Sequence, residues 1–259
     1  MARMRGELCI GLASLLSLAS LLLLIFVHIG QINTSTVPRK ISMVKVNMSN
    51  YGQSIQAAVV AVNQVVGLYT TNASAPLQAQ AGLRQFYEFG LYSYCAYVEE
   101  NAGICGNHTA GERFTPYDTI TADMISNYSI LTAPIIPQNT FRDSKYLGDS
   151  SKAAYWMILL GTICAALALL TGIAKNNFTF FLSGIFSAVG SLLLLIGASI
   201  WTVLIQKASV INTSVNPVNQ QPVDIIISRG NGLFLTWAAF ACLVVSVLPY
   251  VVSCCTYRG

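Results

Sequence analysis

Four stretches of this chain, residues 8–29, 153–174, 178–205 and 232–254, are apolar and hold no Asp, Glu, Lys or Arg. A helix needs roughly 20 apolar residues to cross a bilayer. In lipid, every backbone polar group must also bond within its own segment. The four stretches therefore predict a four-transmembrane-helix bundle. They divide the rest into an N-terminus (1–7), a large loop (30–152), a tight turn (175–177), a short loop (206–231) and a tail (255–259). The first run exceeds the 7–15-residue core of a cleaved signal peptide, and no A-x-A site follows it, so it reads as a retained anchor. Charged residues make up only 9% of the chain, against about 25% in a soluble domain.

Orientation follows from two patterns. Arg3, Arg5 and Lys175 fit cytosolic placement of the N-terminus and the tight turn. Lys152, Lys207 and Arg229 flank spans on the opposite side and weaken that bias. N-x-S/T triplets begin at Asn33, Asn47, Asn72, Asn107, Asn127 and Asn212, all in the two loops, with one more at Asn177 in the turn. Asn47, Asn72, Asn107 and Asn127 are the glycosylation candidates; Asn33 and Asn212 lie close to the spans. The expectation is a multi-pass plasma-membrane protein with both termini cytosolic and both loops outside. The outer loops hold ten bases against nine acids. No basic stripe accompanies that balance, so no nucleic-acid partner is expected.

Inside the large loop, residues 42–48 (SMVKVNM) alternate apolar and polar, a strand pattern. Residues 54–68 fit helix or strand equally. Residues 77–91 have apolar positions at mixed spacing, expected as a helix running into the aromatics Phe86, Tyr87, Phe89, Tyr92, Tyr94 and Tyr97. Pro116-Tyr117-Asp118 reads as a turn. Residues 119–130 predict an amphipathic helix with Ile120, Met124 and Ile125 on one face, broken by Pro134 and Pro137. In the short loop, Asn216-Pro217 and Gln221-Pro222 mark turns around a short strand at 223–227.

Chemistry has little to work with. The spans lack the ionisable residues that mark ion or proton paths in lipid. His28, at the outer end of the first span, reads as an interfacial side chain or as a ligand or pH-sensing group. Glu88, Glu99, Glu100 and Glu112 lie in an exposed loop with nothing to set two of them across a cleft. There is no phosphate loop, no HExxH and no GxSxG. No enzyme activity, cofactor or metal is expected; His108 lies near two cysteines, but the other ligands of a tetrahedral site are missing. The spans do carry small residues at helix-packing spacing: Gly161 and Ala165, Ala168 and Gly172, Gly184 and Ala188, Gly190 and Gly197, and an Ala238, Cys242, Ser246 stripe. Small residues let helices approach closely in lipid. They pack the bundle against itself, or present one face to another copy or partner.

The seven cysteines sort by position. Cys9, Cys164 and Cys242 lie in spans as packing residues. Cys254 and Cys255, at the inner end of the last span, are S-acylation candidates or plain helix-end residues. Cys95 and Cys105 face an oxidising compartment, where such thiols pair. Their short loop would stabilise the folded domain by roughly 2.5–3 kcal/mol on the chain-entropy account.

The segment around them reads Phe89-Gly90-Leu91-Tyr92-Ser93-Tyr94-Cys95, then Cys105. Claudin-type proteins carry W…GLW…C…C in a long first loop; Gly90, Leu91 and both cysteines match, and Tyr92 stands in for the second Trp. With residues 45–52 (KVNMSNYG) and Phe114-Thr115-Pro116, the chain resembles the fungal Sur-seven/PalI family of four-span plasma-membrane proteins. The resemblance implies a claudin-like fold, with a small β-rich, disulfide-stapled extracellular domain. It also implies a scaffold or organiser of membrane compartments, eisosome-like or cell-wall-linked, without catalysis. Expected partners are membrane lipids, further copies, or another integral membrane protein. An accessory subunit of a channel, pump or synthase is the competing expectation; an oligomeric pore or a pH-signalling component comes after it. The short tail weakens the signalling reading and directs partners to the membrane or the outside.

Overall fold

A computed structural model describes residues 2–58, 65–99, 102–174 and 177–256. It divides into two compact units, Met1–His28, Ala153–Ile200 and Leu233–Gly259 in one, Ile29–Lys152 and Trp201–Gly232 in the other. The turn residues Lys175 and Asn176, Glu100 and Arg258 lie outside the described residues, as do the side chains of Asn177, Cys254 and Cys255.

The helical unit is built from the greater part of α1 (Ala2–Ile29), α6 (Ser144–Ile173), α7 (Asn177–Ala208) and α8 (Asn231–Thr256), of which residues 144–152 and 201–208 fall in the other unit. All four are long and apolar enough to cross a membrane. The helices outrun the apolar stretches: α6 begins at Ser144 and α7 continues to Ala208. α8 carries Pro249 inside it, which a membrane helix tolerates when neighbours re-satisfy the freed carbonyl.

Glycines bring these helices together. A Cβ on Gly161 would lie 2.8 Å from the Leu194 side chain, and one on Gly190 would lie 2.9 Å from both Cys164 and Leu243. On Gly197 it would lie 2.7 Å from Ile158, and on Gly172 2.6 Å from the Tyr250 hydroxyl. Ala165 and Ala168 are fully buried. Gly184 differs, with its nearest foreign atom at 3.8 Å, and Ala188 is only half-buried.

Of the Ala238, Cys242, Ser246 stripe, Ser246 is buried, Ala238 exposed and Cys242 half-exposed, as the alternative of a face left for another copy or partner would have it. The buried positions are Leu233, Thr236, Ala239, Leu243, Ser246 and Tyr250. Bulky groups on α8 fill hollows left by glycines on its neighbours, so small residues on α8 itself do not mark the contact. Hydroxyls reinforce the interior. Ser20 Oγ donates to the Ala239 carbonyl (2.8 Å), Ser17 Oγ and Tyr250 OH share a bond of 3.2 Å, and Thr171 and Ser183 share one of 2.7 Å.

The other unit holds a five-stranded antiparallel sheet in the order β4-β3-β2-β1-β5. The strands are β1 (Val44–Asn47), β2 (Phe86–Phe89), β3 (Tyr94–Tyr97), β4 (Gly103–Cys105) and β5 (Ile226–Arg229). The first four come from the large loop. The fifth comes from the short loop and pairs Val44 with Arg229, so both loops build one sheet.

Around the sheet lie α2 (Thr36–Arg39), α3 (Tyr51–Ala58), α4 (Pro116–Asp123) and α5 (Ser126–Ile135). The core is aromatic: Phe89 stacks on Tyr94 with ring centroids 5.4 Å apart, meets Phe114 edge-on at 5.0 Å, and Phe114 reaches Trp201 at 5.9 Å.

Several local expectations change. Residues 77–91 do not form a helix; Phe86–Phe89 is β2, because FYEF alternates half-buried and buried side chains and pairs with YCAY of β3. Pro116 opens α4 rather than a turn, as the first helical position favours. The single helix expected over 119–130 is two, since the chain is extended at Met124 and Ile125 (ψ 144° and 139°). Ile120 and Met124 are buried, but Ile125 is turned outward. Pro134 sits inside α5 instead of ending it. Of the undecided stretch 54–68, residues 54–58 are helical as part of α3, while 59–64 lie outside the described residues.

Candidate functional site

The segment from Gly90 to Cys105 forms the turn and hairpin β3–β4. Cys95 and Cys105 are directly paired across it and joined by a disulfide, with Cα atoms 3.9 Å apart. Strand alternation puts Lys45, Glu88, Cys95 and Tyr97 on one face of the sheet. Gln31, which follows α1, lies buried on that face at φ +56°.

Gln31 is the hub of this face. Its Nε2 donates to Glu88 Oε2 at 2.9 Å and to the Arg39 carbonyl at 2.7 Å. Its Oε1 accepts from Tyr97 OH at 3.0 Å, and its carbonyl accepts from Ser93 Oγ at 2.5 Å. Glu88 also takes a bond from Lys45 Nζ at 2.8 Å. Burial, with the Glu88 charge behind it, raises the Tyr97 phenol above its ordinary value.

The glycine of the motif has a steric cause. A Cβ on Gly90 would lie 2.5 Å from the Gly30 carbonyl and 2.9 Å from Gln31 Cβ. Leu91 is buried beside it. Gly90, Ser93, Cys95 and Tyr97 thus form a socket for residues 30–31. Tyr92 is half-buried, and its carbonyl accepts from Thr109 N at 2.8 Å.

The opposite face holds a second polar cluster. Arg84 and Asp123, both fully buried, form an ion pair at 2.8 Å. Tyr87 OH donates to the same carboxylate at 2.8 Å, and Gln78 N donates to its other oxygen at 2.5 Å. Arg84 also donates to the Ala75 carbonyl. Nothing in the local sequence marks this pair, because its members lie on separate segments and each looks like a solvated loop charge. Gln31 was missed for the same reason: only the fold brings it to Glu88 and Tyr97.

The remaining candidates fall where their chemistry is already engaged. His28 Nε2 bonds Thr162 Oγ1 at 2.9 Å, and His108 Nε2 donates to the Ile32 carbonyl at 2.6 Å. Glu112 accepts from Thr109 Oγ1, and burial raises its carboxyl. Cys164 packs against Gly190; Cys9 and Cys242 are half-buried free thiols.

Among the sequons, Asn33, Asn72, Asn107 and Asn127 are exposed. Asn47 is the last residue of β1, half-buried, and accepts from Ser49 N at 2.9 Å. Asn212 clamps β5: its Nδ2 donates to the Ile227 carbonyl at 2.9 Å and its Oδ1 accepts from Ile227 N at 2.7 Å.

This arrangement positions backbone and locks a hairpin. A comparison with family models matches residues 9–249 to the SUR7/PalI family. The chain belongs to that family. As a SUR7/PalI member it is a multi-pass membrane protein, and the family is not a known enzyme family. Four apolar helices, a small antiparallel sheet and a disulfide between its strands fit a claudin-like four-span fold. No curated protein matches the sequence.

Proposed function

We propose that this protein is a non-enzymatic organiser of the plasma membrane. In this reading both termini are cytosolic, the sheet unit faces outside, and the helical unit gathers lipids and further copies or another integral membrane protein. The observation that carries it is the fate of the motif: its polar groups are spent within their own fold. Cys95 is in a disulfide, Ser93 and Tyr97 bond Gln31, and Glu88 is shared by Lys45 and Gln31. Among the described residues, the polar groups of the motif are taken up in this way, and such a segment shapes a surface for recognition.

Two further observations support the orientation. A disulfide persists where thiols are oxidised, and the exposed sequons lie in the sheet unit. The helices turn apolar side chains outward along their length, among them Leu15, Leu170, Phe181, Leu192 and Leu248, as lipid or a partner helix requires. Extraction in mild detergent followed by mass spectrometry tests the proposal. Recovery of further copies, or of a varied set of membrane proteins, is expected. A single large channel, pump or synthase at constant ratio would overturn it in favour of an accessory subunit.

A further inference from the structure

Beside the disulfide lies a cleft of about 400 Å³ that the fold does not fill with its own side chains. One wall is the chain at 76–78. There Gln78 holds φ +57°, which a non-glycine residue keeps only where its surroundings enforce it. Asp123 enforces it, accepting from Gln78 N while held by Arg84 and Tyr87. The other wall comprises Tyr94, Cys105, Gly106 and Glu112. Gly106 lets the chain turn close under the Tyr94 ring, since a Cβ there would lie 3.3 Å from it. On the rim sits Asn107, exposed, the acceptor of the Asn107-His108-Thr109 sequon.

We propose that this cleft seats the first N-acetylglucosamine of a glycan carried by Asn107. A sugar ring presents hydroxyls, an acetamido group and an apolar edge. The cleft offers the Gln78 amide and the second oxygen of the Glu112 carboxylate, whose first takes the Thr109 hydroxyl, to the polar groups, and Leu77 and Ile104 to the apolar ones. The occupant is tethered to the rim, so it arrives at high effective concentration. Asn72 and Asn127 are exposed as well, but they do not line the cleft.

The inference rests on the outward orientation proposed above. The full chain, produced in a host that performs N-glycosylation, is mapped by peptide mass and then melted in detergent in three states. These are fully glycosylated, trimmed by an endoglycosidase that leaves the first sugar, and stripped by an amidase. Asn107 is expected to be modified. Trimming should leave the melting temperature unchanged, and stripping should lower it by about 2–4 °C. Asn107→Gln should reproduce that drop, while Asn72→Gln and Asn127→Gln should not. Glu112→Gln should remove the difference between the trimmed and stripped forms. Modification at Asn72 or Asn127 with Asn107 bare, or a melting temperature indifferent to stripping, would overturn the inference and leave the orientation standing. No modification at any sequon would overturn both.

Discussion

The helical unit and the sheet unit solve the same problem, a unique packing, by opposite means. The helical unit uses absence: missing side chains at Gly161, Gly172, Gly190 and Gly197 let Leu194, Tyr250, Leu243 and Ile158 fill the gaps, with side-chain hydroxyls and His28 adding polar contacts. The sheet unit uses presence. It carries a disulfide, a fully buried ion pair and a glutamine that bonds three separate segments. Helices in lipid gain nothing from excluding water, so close contact must hold them. The sheet unit buries an aromatic core and adds these staples to it.

That contrast can be broken most severely with alkali. Burial pushes the phenols of Tyr69 and Tyr94 up to about 12, and raises those of Tyr51, Tyr87 and Tyr97 further. Because the folded phenols sit above the unfolded value of about 10, their contribution to stability is complete below that pH. It is lost as pH rises toward 12. The share of tyrosinate absorbance from these five phenols should therefore appear late and cooperatively, together with loss of the sheet unit's near-ultraviolet dichroism. The helical far-ultraviolet signal should persist. Loss of that late, cooperative share would mean that the sheet core is open.

Next in size is Arg84→Met, which strands the Asp123 carboxylate in the core. Denaturant unfolding of the sheet unit should show a loss of about 3–5 kcal/mol, and Arg84→Met with Asp123→Leu should recover much of it. A single-variant loss below 1 kcal/mol would remove the ion pair from the account.

In the helical unit, Gly172→Leu and Gly184→Leu form a matched pair. The first must displace the Tyr250 ring and should cost about 1–3 kcal/mol. The second, with its nearest foreign atom at 3.8 Å, should cost less. Equal losses in thermal melts would show that spacing, not contact, governs these glycines.

The pattern of what was readable follows from range. Spans show in a run of adjacent residues, and the disulfide in two cysteines close together in sequence. β1 shows in the alternation of 42–48. The partners that turn β1 into the middle of a sheet do not show: Arg229 of the short loop pairs with Val44 across a distance that no local pattern carries. Residues 77–91 misled because an aromatic-rich run fits either period until pairing with β3 decides it. Gln31, Arg84 and Asp123 looked like ordinary loop residues, since burial is a property of the fold. The α8 stripe left two outcomes open because a small residue can be the hollow or merely face outward, and one helix alone does not say which.

The Gly90 to Cys105 segment either holds the fold or meets a partner directly. Gly90→Ala separates the two, because the added methyl enters the space of the Gly30 carbonyl and touches no outer surface. The variant should be measured for thermal stability and for co-purifying proteins in the same mild-detergent extract. The expected result is a marked fall in melting temperature, with a Cys95–Cys105 bond more easily reduced and partner recovery falling in step. A variant as stable as the parent that nevertheless loses its partners would contradict it.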